Sequence, residues 1–363
     1  MQVLPNLHGG GVERGTLEVA RALVSAGHRS IVLSGGGRLV NELTAAGSEH
    51  IEWPIGKKSL ATLRLIRPLR RLLHDLDVDI LHLRSRLPAW IGWLAWRSMP
   101  LEQRPRLVTT VHGLHSPSWY SSVMTRGEQV IAVSESVRRY ILEHYPACPD
   151  ERIRVIHRGI DPSHFHPGFH PSAAWLSEWY RCHPETRGRW LVTLPGRITR
   201  LKGHADLLRI VRRVSDAGID IHALIVGEPA AERTRYLTEL HREADTLGIS
   251  TRLSFTGHRD DLREIMALSD AVLSLSATAE SFGRTALEAL ALGRPLLGYA
   301  HGGVGELLDS LLPEGRIAPG DHAAAADRLI QWSRFGAPEP KRDHPFTLEH
   351  MLEQTLELYQ ELL

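Results

Sequence analysis

Short apolar runs that end in Gly, Ser or His, each followed by a stretch with helical spacing, recur along the chain. In the first half, residues 1–5, 27–34, 78–83, 106–112 and 129–133 read as strands; in the second, residues 190–195, 222–227, 252–257, 270–275 and 295–299 do. Continuous apolar runs of this length, without polar alternation, fit strands buried on both faces of a parallel sheet. Helical patterns lie between them, as in residues 17–24, 38–46, 88–96 and 285–292. Strand alternating with helix predicts an α/β, doubly wound architecture. At 363 residues the chain exceeds one ordinary core, so two such domains are expected.

The densest chemistry lies in residues 276–295, where Glu280 and Glu288 stand eight positions apart across Ser281-Phe282-Gly283. The helix that follows stops at Gly293, with Pro295 just beyond, so the stretch reads strand, loop, helix. Open α/β sheets collect ligands where strands deliver their carboxyl ends, because helix N-termini there present free N–H groups. A carboxylate in such a loop is suited to accept hydrogen bonds from sugar or ribose hydroxyls. The implied ligand carries both phosphate and hydroxyls. Two loose acids in a turn and on a solvated helix face are the alternative.

Other strand exits carry further candidates. Gly196-Arg197 leaves a strand and Lys202-Gly203 enters a helix, so two cations and a helix N-terminus can converge on one diphosphate. Gly9, Gly10 and Gly11 allow close backbone approach to a ligand and positive φ, although G-x-G-x-x-G fails here. Arg84 and Arg86 follow a strand and suit an anionic acceptor or, equally, structural pairing with acids. His112-Gly113 ends another strand. Ser134 is an expected N-cap, and the glycine pair Gly302-Gly303 is a source of backbone amides.

A net charge of +1 gives no global support for nucleic-acid binding. The exception to this balance is residues 57–73, which hold Lys57, Lys58, Arg64, Arg67, Arg70 and Arg71, no acid, and leucines at helical spacing. This predicts a basic amphipathic helix with Pro68 as its bend point, fit either for an anionic leaflet or for a solvated face packed on the sheet. Cys148 and Cys182 are far apart and suit a reducing compartment. With no signal peptide or long apolar run, a cytoplasmic or membrane-peripheral protein is expected. The first strand begins at Met1, so a late start or a trimmed end is expected. The loop of His164, His166 and His170 lacks acids at matching spacing other than Asp161 and lacks paired cysteines, so no metal site is expected there.

The E-x7-E pair with its Ser-Phe-Gly insert, the following Ala291-Leu292-Gly293-Arg294-Pro295 and the G-R-x4-K-G pattern at 196–203 resemble the motifs of retaining glycosyltransferases of family 4. Among them are bacterial enzymes of lipopolysaccharide-core and cell-surface polysaccharide synthesis. The resemblance covers nearly the whole chain and is most specific over 190–310. It implies a GT-B fold, two doubly wound domains facing each other across a cleft. An acceptor domain would span 1–161, a linker and lead-in 162–188, a nucleotide-sugar domain 189–346, and a last helix at 347–363 would cross back to the first domain.

It further implies transfer of a sugar from a nucleotide diphosphate donor, with retention and without a metal or other cofactor. Arg197 and Lys202 would stabilise the departing diphosphate, Glu280 would orient the donor sugar, Glu288 would hold the ribose, and His112 would contact the sugar. Gly10, Gly11, Gly227, Gly257, Ser281, Phe282 and Gly283 would line the donor, and Arg84 and Arg86 the acceptor, a glycan or lipid-linked molecule. The basic segment at 57–73 would touch an anionic membrane surface, placing the protein on the inner face of the cytoplasmic membrane. An epimerase of the same fold and a non-catalytic sugar-nucleotide binder are the alternatives: the first turns over donor without acceptor, the second binds without turnover.

Overall fold

The computed structural model describes residues 1–229 and 234–363, and these divide into two compact units, Met1–Gly159 with Leu348–Leu363, and Ile160–Thr347. The first unit is built on a seven-stranded parallel sheet: β1 Gln2–Val3, β2 Ile31–Ser34, β3 Glu49–Glu52, β4 Ile80–Leu83, β5 Arg106–Val111, β6 Gln129–Ala132 and β7 Ile153–Val155. Its strand order is β3-β2-β1-β4-β5-β6-β7. Order reverses between β1 and β4, the topological switch at which such sheets open a crevice at their carboxyl edge. The connecting helices are α1 Gly11–Ser25, α2 Val40–Ala45, α3 Ile66–Asp75, α4 Arg86–Arg97 and α5 Glu135–His144. Ser134 caps α5 by accepting from the Val137 amide at 3.1 Å, as its sequence position predicts.

The second unit begins with α6 Ala173–Cys182 and carries a six-stranded parallel sheet. Its strands are β8 Trp190–Pro195, β9 Ile221–Val226, β10 Leu253–Gly257, β11 Ala271–Ser274, β12 Leu296–Tyr299 and β13 Arg316–Ile317. The order β10-β9-β8-β11-β12-β13 again reverses once, between β8 and β11. Its helices are α7 His204–Asp216, α8 Thr234–Leu247, α9 Leu262–Leu268, α10 Arg284–Ala291, α11 Gly302–Leu311 and α12 His322–Phe335.

The last helix, α13 Leu348–Leu362, is part of the first unit. Its apolar positions Leu348, Met351, Leu352, Leu358, Tyr359 and Leu362 return at helical spacing and pack on Val19, Val108, Ile131 and Ile156. Burying a side chain such as Leu358 contributes about 2 kcal/mol. Beneath this helix runs a polar thread: the Tyr359 hydroxyl meets Nδ1 of His82 at 2.5 Å, and Nε2 of His82 meets the Thr110 hydroxyl at 2.6 Å.

The basic segment does not form one helix. A 3-10 stretch, Leu60–Leu65, capped by Ser59, precedes α3, and Pro68 sits in the first turn of α3. There a missing N–H costs nothing, so the proline marks a helix start rather than a bend. Leu69 and Leu73 are buried, whereas Leu60 and Leu63 stand out to solvent. Among the described residues no helix is long and apolar enough to cross a membrane.

Candidate active site

In the second unit, β8 exits into Gly196-Arg197 and a single 3-10 turn, Arg200–Lys202, before α7. Gly203 closes that turn with φ of 74°, and a Cβ there would stand 2.0 Å from the carbonyl oxygen of Leu275. Only glycine lets the turn press this closely on the end of β11. The contact is held by the Ala277 amide, which donates to the Leu201 carbonyl at 2.8 Å. Lys202 is thereby set within the 276–283 loop, its Nζ 2.6 Å from Oε1 of Glu280. Arg197 is exposed.

Glu280 is anchored from several sides. The Ser276 hydroxyl donates to the same Oε1, and His301 Nε2 donates to the Ser276 carbonyl at 2.7 Å. Burial pushes the Glu280 carboxyl upward, but the Lys202 charge and hydrogen bond, the Ser276 hydroxyl and His301 outweigh it, and the pKa falls below its usual value. Glu280 is therefore an ionised, acceptor-only group at neutral pH. Its backbone carbonyl takes the Gly303 amide at 2.8 Å. Gly303 thus supports the loop, and its N–H is not offered to a ligand as its sequence position suggested.

The rest of the loop is equally determined. Phe282 is buried against Phe346, so at that position the loop presents backbone, not ring, to a ligand. Gly283 caps α10 in the left-handed region, φ 90°, close to Val304. Ser281 is half-buried beside it. Glu288 lies one turn inside α10, which starts at Arg284; Nε of that arginine is 3.6 Å from Oε1 of Glu288. Gly227, just past β9, forms a bridge with Gly257, the last residue of β10.

The first unit gathers a second group of the predicted residues. A cavity of about 280 Å³ opens at the carboxyl ends of β4 and β5, lined among others by Arg84, Arg86, His112, His115, Ser121 and Tyr140. Among the described residues its lining contains no carboxylate. Arg86 opens α4, donates to the Ser121 hydroxyl at 3.2 Å and lies over the Tyr120 ring. Arg84 is buried, and its Nη1 donates to the amide oxygen Oε1 of Gln2 at 2.6 Å, where the sequence allowed pairing with an acid. His112 is half-buried, and Nη2 of Arg158 approaches its Nδ1 at 2.6 Å. Burial, with the charges of Arg158 and Arg84, holds the His112 pKa well below its ordinary value.

The Gly9–Gly11 loop behaves differently from expectation. Gly9 alone has positive φ, 142°, with the Arg38 side chain packed against it; Gly10 is extended, and Gly11 is already the first residue of α1. Gly10 and Gly11 thus form the N-terminus of α1 rather than a strained turn. Four contributors escaped the sequence reading: Ser276, His301, His115 and Arg158. Arg158 lies in the stretch just after β7, but its spacing to His112 carries no signal, because only the sheet joins them. Among the described residues no group of His, Cys, Asp or Glu side chains is arranged to hold a metal ion.

Both halves of this arrangement match known families. Residues 9–164 match Glycosyltransferase Family 4, and residues 179–342 match Glycosyl transferases group 1. The chain belongs to the family 4 glycosyltransferases. Its relatives include D-inositol 3-phosphate glycosyltransferase from Rhodococcus opacus, 28% identical over 308 residues, covering 77% of this chain and 67% of that protein. With a Mycobacterium sp. (strain JLS) relative of the same name the alignment is 30% identical and covers 59% of the relative. The chain thus spans about two thirds or less of the length of these relatives.

Among solved structures, a glycosyltransferase from Rickettsia africae superposes with a TM-score of 0.84 at 27% identity, covering 99% of this chain and 97% of that one. Anabaena Alr3699/HepE, solved with UDP and glucose, shares the fold at a TM-score of 0.81 and 21% identity, covering 99% and 100%. The GT-B class expected from sequence is the class observed.

Proposed function

We propose that this glycosyltransferase moves a sugar from a nucleotide diphosphate sugar to a phosphorylated or lipid-linked glycan, with retention at the anomeric carbon and without a metal. The observation that carries this reading is the Lys202–Glu280 pair, held at 2.6 Å on the turn that follows Gly196-Arg197. Lys202 has three N–H donors and spends one on Glu280, so two remain for a diphosphate. Arg197 supplies a second, exposed cation. Glu280, ionised and fixed, accepts hydroxyls of the donor sugar, and Glu288 accepts those of the ribose.

In the reaction the bond from the anomeric carbon to the diphosphate breaks and its electron pair leaves with the phosphate. The acceptor hydroxyl bonds to that carbon and gives its proton to a phosphate oxygen. Arg197 and Lys202 stabilise the charge that grows on the diphosphate, an effect worth about 3–4 kcal/mol per preorganised donor when water is excluded. Glu280 as a covalent nucleophile is disfavoured, because its Oε1 is engaged by both Lys202 and Ser276.

The acceptor reading rests on the first unit. Its cavity is lined by Arg84, Arg86 and two histidines, with no acid among the described residues, which favours an anionic acceptor group. The relatives named for inositol 3-phosphate point to a phosphorylated acceptor as well. A lipid-linked acceptor, as in lipopolysaccharide-core synthesis, would agree with the exposed Arg67, Arg70 and Arg71 of α3 and the exposed Leu60 and Leu63 of the turn before it, residue types suited to the anionic cytoplasmic leaflet.

A thermal-shift screen of nucleotide diphosphate sugars against the wild type and Lys202→Ala tests the donor. A ligand at ~100 times its Kd adds about 2.7 kcal/mol. One donor that stabilises the wild type and not the variant is expected; no donor, or equal shifts in both, would overturn the assignment. Anomeric NMR of the product tests retention, chelator treatment tests metal independence, and loss of turnover with dephosphorylated acceptor tests the anionic site. Turnover of the donor without acceptor would indicate an epimerase.

A further inference from the structure

We propose that Arg158 is a positioning residue that fixes the tautomer of His112, so that this histidine acts as a neutral hydrogen-bond donor and not as a base. A guanidinium only donates, so the nitrogen it meets at 2.6 Å, Nδ1 of His112, must carry the lone pair. The proton of the neutral ring then resides on Nε2. His112 is one of the residues that line the cavity of the first unit.

The arrangement is built from three elements. Arg158 follows β7, and its Nη1 reaches Sδ of Met351 on α13 at 3.8 Å. On α1, Gly15 leaves the room the guanidinium occupies: a Cβ there would stand 2.8 Å from Nη1 of Arg158. The groups that surround His112 electrostatically are Arg158, Arg84 and His82, with His115 beyond, and all of them disfavour a second proton on the ring. With its lone pair engaged, His112 cannot accept a proton from an acceptor hydroxyl. It can donate one hydrogen bond, to an oxygen of the sugar or phosphate.

The catalytic half of this inference rests on the transferase reading; the tautomer half does not, and the two are measured separately. Long-range ¹H–¹⁵N NMR of the histidine side chains in ligand-free protein, assigned with His112→Gln, reads the tautomer. In the wild type a neutral ring protonated on Nε2 is expected from pH 8 down to 5. In Arg158→Met the ring should populate both tautomers and titrate at a higher pH than in the wild type, though still below the ordinary 6.5, because burial and Arg84 continue to disfavour the charged ring. Arg158→Lys, which keeps a donor, should restore the Nε2 form, and Gly15→Ala, which displaces the guanidinium while keeping Arg158, should reproduce the Met variant.

In kinetics, Arg158→Met should lose about tenfold in kcat/KM at pH 8, the scale of one misplaced proton. The deficit should shrink in acid as the variant ring takes a second proton, at the pH the NMR titration of that ring gives, because the imidazolium carries protons on both nitrogens and the donor returns. A wild-type ring protonated on Nδ1, an unchanged tautomer in Arg158→Met, or a deficit that stays constant while the variant ring titrates would each overturn the proposal. If no transfer is found in the wild type, the functional reading fails while the NMR result still judges Arg158.

Discussion

Lys202 and Glu280 form a half-buried pair whose two members have opposite costs when left alone. Lys202→Met leaves a desolvated carboxylate without its cation, so about 1–2 kcal/mol of stability should be lost, a discounted value for a pair that retains some solvent contact. Adding Glu280→Gln should restore most of that stability and none of the donor binding, and a denaturant double-mutant cycle checks both. The pair also sets a pH window. The pKa of Glu280 is lowered in the folded state, so its contribution is complete above the usual 4.5 and is lost only as pH falls below that value. The donor-induced thermal shift should accordingly stay constant from pH 7 to 5 and decline in more acid buffer.

At the level of elements, the site depends on turns that only glycine can make. Gly203 joins the Lys202 turn to α7, and an alanine there would meet the Leu275 carbonyl at 2.0 Å. Gly203→Ala should lose more than 2 kcal/mol and displace Lys202, which urea unfolding and donor titration would both register. Gly283→Ala carries the left-handed penalty of about 1–2 kcal/mol, and its neighbour Val304 is a side chain that can shift. It should therefore be the milder variant. The basic surface of α3 is tested the same way: Arg70→Glu with Arg71→Glu should abolish sedimentation with vesicles rich in anionic lipid while leaving turnover of a soluble acceptor intact.

Across the whole molecule, each unit hides histidines that remain neutral. His82 and His112 are held well below 6.5 in the first unit, and His204 and His222 are lowered to about 4 in the second, in each case chiefly by burial. The unfolded chain takes up protons below 6.5 that the folded chain refuses, so stability must fall as pH drops below that value. Each histidine contributes up to about 1.4 kcal/mol per pH unit to the slope. Melting curves from pH 7.5 to 4.5 should show both units destabilised well before the carboxylates titrate. Leu358→Ala on α13 should cost about 2–4 kcal/mol and raise hydrogen exchange in the first unit, with the 160–347 unit unaffected.

Much of this was written in local patterns. Unbroken apolar runs specify strands buried on both faces, and their alternation with helical spacing specifies a doubly wound sheet, because each step is decided by neighbours three or four residues away. The E-x7-E loop and the Gly196–Gly203 turn were legible for the same reason: Gly203, Gly283 and Gly293 mark where the chain must turn. Contacts between distant residues were decided only in three dimensions. Whether Arg84 faces solvent or Gln2, whether the Gly303 amide is free or bound to Glu280, and whether His112 carries its proton on one nitrogen or the other depend on which strand lies beside which. Position along the chain records what a residue can do, whereas burial and the partner across the sheet select what it does.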